Sequence, residues 1–151
     1  MWNPSNFDIK NNSIKGEWFN LTDENGDNLF IEVDGKKIES RVMLIGPKTP
    51  EGIKIRAEAE RAARDYELKV KKADKKGEAY LPSDQEVADN ERRDIETIKS
   101  LVKAWEGIPN ESLDGEAKCT DEEKERIFAI DFFRTQIIQK HLNPLNFIKK
   151  S

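Results

Sequence analysis

Apolar positions along this chain follow two different periods, and the change of period divides it. Between residues 17 and 46 they fall in short runs separated by turn formers; from residue 51 onward they recur at steps of three and four. Trp18-Phe19-Asn20-Leu21 predicts a first strand, and the Asp- and Asn-rich stretch 23–28 a turn. Residues 29–33 predict a second strand. Asp34-Gly35 then supplies the positive backbone dihedrals of a tight hairpin. Residues 37–45 predict a third strand, with Ile38, Val42 and Leu44 on one face and Met43 and Ile45 on the other. The expectation is an antiparallel meander, which needs a helix across one face to be stable.

Gly46-Pro47 breaks the pattern, and Thr49-Pro50-Glu51 opens a helix: threonine caps, proline suits the first position, and glutamate complements the dipole. Ile55, Ala59, Ala62, Tyr66, Val70 and Ala73 form one thin, alanine-rich stripe running toward Lys76, with Gly77 ending the helix. Ser83 and Glu86 have capping-box spacing and start a second helix, whose apolar face is Val87, Ile95, Ile98, Leu101, Val102 and Trp105. The short connection predicts an antiparallel helical hairpin over residues 50–106. Each helix would span roughly 30–40 Å, so the charged tip, residues 69–94, is expected to project into solvent. After a loop carrying Pro109 and Asp114-Gly115, Thr120 and Glu123 form a second capping box. Ile127, Phe128 and Ile130 mark one short helix. Asp131 is expected to cap another, holding Phe132, Phe133, Ile137, Ile138 and His141, unless the two run on as one; Pro144 ends it either way. The predicted fold is α+β: a small antiparallel meander, a long helical hairpin and a C-terminal short-helix subdomain in one domain over 17–151. Residues 1–16 read as an arm carrying Trp2, Phe7, Ile9 and Ile14 that packs loosely on the domain or docks on a partner.

Composition narrows the classes. The chain has 151 residues, with 36% hydrophobic and 37% charged, which allows one modest core and much solvated helix surface. Its net charge of −4 comes from interleaved signs, so no basic face points to nucleic acid. A single cysteine permits no internal disulfide, and the start shows no secretory pattern, so a reducing cytoplasm is the expected compartment. The apolar runs are far too short for a membrane span.

Reactive chemistry finds little to work with. Cys119 and His141 offer a nucleophile–base pair on paper, but no third group orients them. Asp23, Asn25 and Asp27 have the alternate spacing that opens a calcium loop. Asn28 stands where glycine is required, however, and Asp34 where a bidentate glutamate is required, so a hairpin turn accounts for them better. One cysteine and one histidine cannot complete a zinc shell, and no phosphate-cradling glycine loop occurs. Carboxylates sit beside Lys or Arg on helix faces, as Glu67 does with Lys71 at i,i+4. The cluster Lys69, Lys71, Lys72, Lys75 and Lys76 supports a helix C-terminus, with an electrostatic docking patch as its second reading. Phe132 and Phe133 cannot both face inward, because neighbours on a helix lie about 100° apart. No cofactor or metal is expected, and no enzyme.

The layout resembles small tailed-phage and prophage proteins of the tail assembly chaperone kind. The matching stretches are the sheet with its Asp-x-x-Gly type turn (21–45), the long charged helix (51–76), and the second helix ending at Trp105-x-Gly107. Asp114-Gly115, Thr120 to Glu123 and Asn146-Phe147 complete them. The resemblance implies a non-enzymatic protein in the host cytoplasm that binds a tail tube or tape-measure subunit before it polymerises. The alternatives are a phage-encoded inhibitor or adaptor of a host protein, and a structural virion component. Candidate contact residues are Phe132, Phe133, Ile137, Phe147, Lys71 and Lys72. Homo-oligomerisation is left open; a membrane partner is not expected, and nucleic acid is disfavoured.

Overall fold

In a computed structural model that describes residues 1–149, the chain is α+β, as its pattern predicts. Its elements are α1 (Ile9–Lys15), β1 (Glu17–Asn20), β2 (Phe30–Val33), β3 (Lys36–Glu39), β4 (Arg41–Leu44), α2 (Pro50–Lys75), α3 (Asp84–Leu101), β5 (Val102–Glu106), α4 (Asp121–Phe128) and α5 (Asp131–Leu142). Short 3-10 turns at Pro4–Phe7 and Pro144–Phe147 flank them.

The strands do not form one meander. β1, β4 and β5 make an antiparallel sheet in that order, and β2 with β3 forms a separate two-stranded ribbon. The stretch read as one third strand divides at Ser40. There the Leu21 and Ser40 amides donate to Ser40 and Leu29 carbonyls respectively, and the Ser40 hydroxyl donates to the Gly107 carbonyl at 2.6 Å. Gly107 has a φ of +67°, and a Cβ there would lie 2.3 Å from the Glu39 carbonyl oxygen, so only glycine lets β5 leave the sheet against this crossing. The Asp34-Gly35 hairpin forms as expected, with φ values of +52° and +75°.

The larger difference is β5, because residues 102–105 read as the end of the second helix. Val42 faces Trp105, Met43 faces Ala104 and Leu44 faces Val102, with a register irregularity between Met43 and Leu44. Lys103 is therefore the extra residue of a bulge, and it points to solvent. The bulge puts Val102 and Trp105 on the same buried face although they are three residues apart. In sequence, that spacing is indistinguishable from a helical turn. Val42, Leu44, Val102 and Trp105 then pack against Ile98 of α3, Ile127 and Phe128 of α4, and Ile137 of α5 to form the core.

Three predicted helix starts cap as expected. The side chains of Thr49, Ser83 and Thr120 accept from the amides of Gly52, Glu86 and Glu123 at 3.0, 3.1 and 3.3 Å. Neither capping box closes, since the Glu86 carboxylate engages Tyr80 and Lys69, and that of Glu123 engages Arg126 at 2.6 Å. α4 and α5 are separate helices. Asp131 opens α5 without capping it: Ile130 occupies the cap, and the Asp131 carboxylate takes Arg134 at 2.9 Å.

The N-terminal residues are not a loose arm. α1 buries Asn12 and Ser13, and the Asn12 side-chain amide donates to the Asn6 and Phe147 carbonyls at 3.1 and 2.9 Å. The Gly46 amide donates to the Ser13 carbonyl at 3.0 Å and that of Lys149 to Asn6 at 2.8 Å, so α1 joins both chain ends to the base of α2. Polar residues do this because they supply the donors and acceptors that these loop segments lack.

Two buried cations finish helix ends. The Lys124 ammonium donates to the Val102 and Lys99 carbonyls at 2.7 and 3.1 Å, where α3 stops and β5 starts. The Arg134 guanidinium does the same for the Phe128 and Ala129 carbonyls at 2.9 and 3.2 Å, at the end of α4. Arg92 and Lys99 of α3 meet Glu125 of α4, and hydrogen bonds from Arg92 and then Lys99 hold the Glu125 carboxyl down at about 2.

Replacing Lys124 with Met should lower unfolding free energy by about 2–3 kcal/mol in chemical denaturation, because two buried carbonyls lose a charged donor. Ser13→Ala should behave oppositely. The Ser13 hydroxyl is sealed and makes no hydrogen bond, so its removal should leave stability unchanged or raise it by up to about 1 kcal/mol.

Candidate functional site

Where the ribbon meets the helical layer, the fold leaves an apolar cleft of about 160 Å³. The ribbon is positioned from below. Gln136 of α5 accepts from the Thr22 amide at 3.0 Å and donates to its carbonyl at 2.8 Å, and the Leu29 amide donates to the Leu21 carbonyl at 2.9 Å. These bonds hold the run Leu29-Phe30-Ile31 over Ile108, Pro109, Ile127 and Phe133. Pro109 is steadied by the Arg126 guanidinium, which donates to its carbonyl at 2.7 Å.

Two exposed aromatic side chains adjoin the cleft, Phe30 as part of its lining and Phe132 through Phe133. Phe30 is half exposed, with the Lys37 ammonium 4.4 Å above its ring. Phe132 is 46% exposed and packs edge-on against Phe133, with ring centroids 5.5 Å apart. No ionisable side chain lines the cleft, and its one hydroxyl, on Ser40, is already spent on Gly107. Such a recess can seat one bulky apolar side chain, worth about 1.5–3 kcal/mol when fully buried.

The candidate contact residues separate. Phe133 lines this cleft, and Phe132, packed edge-on against it, is the exposed one of the pair. Ile137 and Phe147 are corrected: they are 1% and 0% exposed, Ile137 in the main core and Phe147 packed edge-on against Phe19 at 5.8 Å, so neither offers a surface. Lys71 and Lys72 are exposed near the far end of α2, remote in sequence from the cleft. Phe30, Ile31 and Ile108 were not among the candidates. A signal existed for the ribbon pair: three consecutive apolar residues, Leu29-Phe30-Ile31, do not alternate, so both faces of that strand must be accounted for.

The remaining candidate chemistry falls elsewhere. Asp23 is a turn residue whose carboxylate accepts from the Asn25 and Asp27 amides at 2.9 and 3.0 Å. Burial pushes the Cys119 thiol up, opposite to what a nucleophile needs. His141 is 2% exposed, and its Nδ1 lies 2.9 Å from the Ile45 carbonyl. Among the described residues no group of His, Cys, Asp and Glu is arranged to hold a metal ion, and no helix is long and apolar enough to cross a membrane.

Compared with models of protein families, with curated proteins and with solved structures, the chain finds no match in any of the three.

Burial lowers the His141 pKa from 6.5, with the Ile45 hydrogen bond opposing it. The unfolded chain therefore takes up this proton first. Its contribution to stability is complete above pH 6.5 and is lost as pH falls through the depressed native value. Asp94, whose carboxyl burial raises from 3.8, acts with opposite sign and only in the carboxylate range. Urea midpoints measured from neutrality down to about pH 5 should fall for the native chain and fall less for His141→Gln.

Proposed function

We propose that the chain is a non-enzymatic protein-binding protein of the tail assembly chaperone kind, which shields an apolar segment of a tail tube or tape-measure subunit until assembly. The supporting observation is the cleft between ribbon and α5: preformed, free of ionisable side chains, and lined by the half-exposed Phe30 and by Phe133, against which the exposed Phe132 packs. Apolar recesses with few polar groups are a usual setting for binding sites. Binding there would rest on burial of the partner's apolar side chain, with Lys37 and Arg126 beside the cleft limiting the occupant to a segment that tolerates positive charge.

A second reading draws on the hairpin. Lys71, Lys72, Lys75 and Lys76 are exposed near its tip and form no ion pair among the described residues, which suits an inhibitor or adaptor docking on an acidic host protein. The two readings use different surfaces and so can be separated.

Co-expression with a tail tube or tape-measure subunit should keep that subunit soluble. The double substitution Phe30→Glu with Phe132→Glu, at two exposed positions, should weaken the complex by about tenfold or more, since hot-spot contacts lie at such anchors. Charge reversal at Lys71 and Lys72 should leave it intact. If only the lysine reversal abolishes partner binding, the host-protein reading replaces this one. If neither subunit is bound, the chaperone reading fails.

A further inference from the structure

A second recess lies between α2, α3 and α5, away from the ribbon. Its walls are Ile55, Glu58, Ala59 and Ala62 from α2, Arg93, Asp94, Thr97 and Leu101 from α3, and Ile138, His141 and Leu142 from α5. It encloses about 200 Å³. The space exists because α2 brings alanines where a core helix would bring leucines. In all of α2 only Gly52 is buried, so the helix leans over its neighbours without filling the gap.

At the floor of this recess sits a polar group with work undone. The Ile45 carbonyl can only accept, so the proton of His141 is on Nδ1 and Nε2 carries a bare lone pair. Nε2 makes no hydrogen bond to any described residue. It is not sealed either: the enclosed polar atoms without partners are Ser13 Oγ and Glu17 Oε1. His141 thus sets a nearly buried acceptor of fixed tautomer beside a recess whose walls combine aliphatic residues with Glu58, Arg93 and Asp94. The lowered pKa keeps the ring neutral, and the acceptor available, at neutral pH.

We propose that this recess binds a small uncharged molecule with an aromatic or aliphatic body and one N–H or O–H, which donates to His141 Nε2. The body rests on Leu101, Ile138 and Ile55. The size fits, since dry apolar cavities of roughly 150 Å³ already take up benzene. Burying a full charge here would be costly, and Arg93 already offsets Asp94 at the rim. The inference is independent of the ribbon cleft and of any partner protein.

Indole and indene test it, because they share a shape and differ in the single N–H donor. In calorimetric and NMR titrations of the full chain, indole should bind about tenfold more tightly than indene, as expected when a buried acceptor is left without its donor. The ¹⁵N resonance of His141 Nε2 should shift with indole and not with indene. Ala62→Leu, on the lightly packed α2, should remove indole binding without changing the melting temperature. Indole binding more tightly than N-acetyl-tryptophanamide identifies a free small molecule as the occupant; the reverse order, which points to a tryptophan side chain of another protein, would overturn the proposal. Equal binding of indole and indene, no binding of either at millimolar concentration, or full indole affinity in Ala62→Leu would overturn it.

Discussion

The arrangement depends on one buried ammonium. α3 passes into β5 with no loop between them, so its last carbonyls take donors from outside the helix, the Ile45 amide already serving Leu101. Lys124, reaching across from α4, supplies the donors for Lys99 and Val102. Without it, a helix end would sit in the core with unpaired acceptors, a larger penalty than most single contacts can offset. With it, the chain turns sharply enough for Val102 and Trp105 to enter the sheet and meet Val42 and Leu44. The same device recurs where Arg134 closes the end of α4 and where His141 takes the Ile45 carbonyl just after β4. Few bulky apolar residues are present, and polar groups aimed at main-chain carbonyls fix how they pack.

This economy explains why the molecule has recesses at all. Its apolar residues are concentrated between one sheet face and α3, α4 and α5, which leaves little to cover the ribbon or to fill the space under α2. The ribbon is tethered by Gln136 and by the crossing at Ser40, and not by a core of its own, so an apolar cleft persists beneath it. α2 is anchored at its base, where Thr49 bonds to both Gly46 and Gly52, and at its tip, where Tyr66 packs edge-on against Tyr80 and Lys69 pairs with Glu86. Between these points alanine predominates. The two cavities thus differ in chemistry for a reason: one is roofed by strand residues that are apolar throughout, the other by a helix whose floor includes a histidine already committed to a carbonyl.

Local signals in the chain were read well where the physics is local. Thr49, Ser83 and Thr120 cap the helices they were expected to cap, whereas Asp131 does not, and Asp34-Gly35 turns a hairpin because only those backbone angles suit it. The start and end of α2 and the start of α3 were accordingly legible, while the division between α4 and α5 stood open beside one continuous helix. Helix geometry alone showed that Phe132 and Phe133 cannot both face inward, while the packing of α5 decided that Phe132 is the exposed one. Of the ribbon cleft only Phe133 was among the contact candidates, because its other walls, Phe30 with Ile31 and Ile108, join residues nearly eighty positions apart.

The misreadings share a cause. Val102 and Trp105 are three apart both in a helix and across a bulge, and pairing with β4 decided between the two. Ser40 breaks a strand because Gly107 approaches it from far along the chain. Asn12 and Ser13 look like solvent-facing residues until Phe147 and Gly46 come to meet them. Residue order and type set the α+β class, most helix starts and the turns, since each depends on neighbours a few positions away; the end of α3 at Leu101 did not follow from them. Which strands pair, which aromatics are enclosed and where cavities remain came from contacts between distant segments, whose energies exist only once the chain has closed on itself.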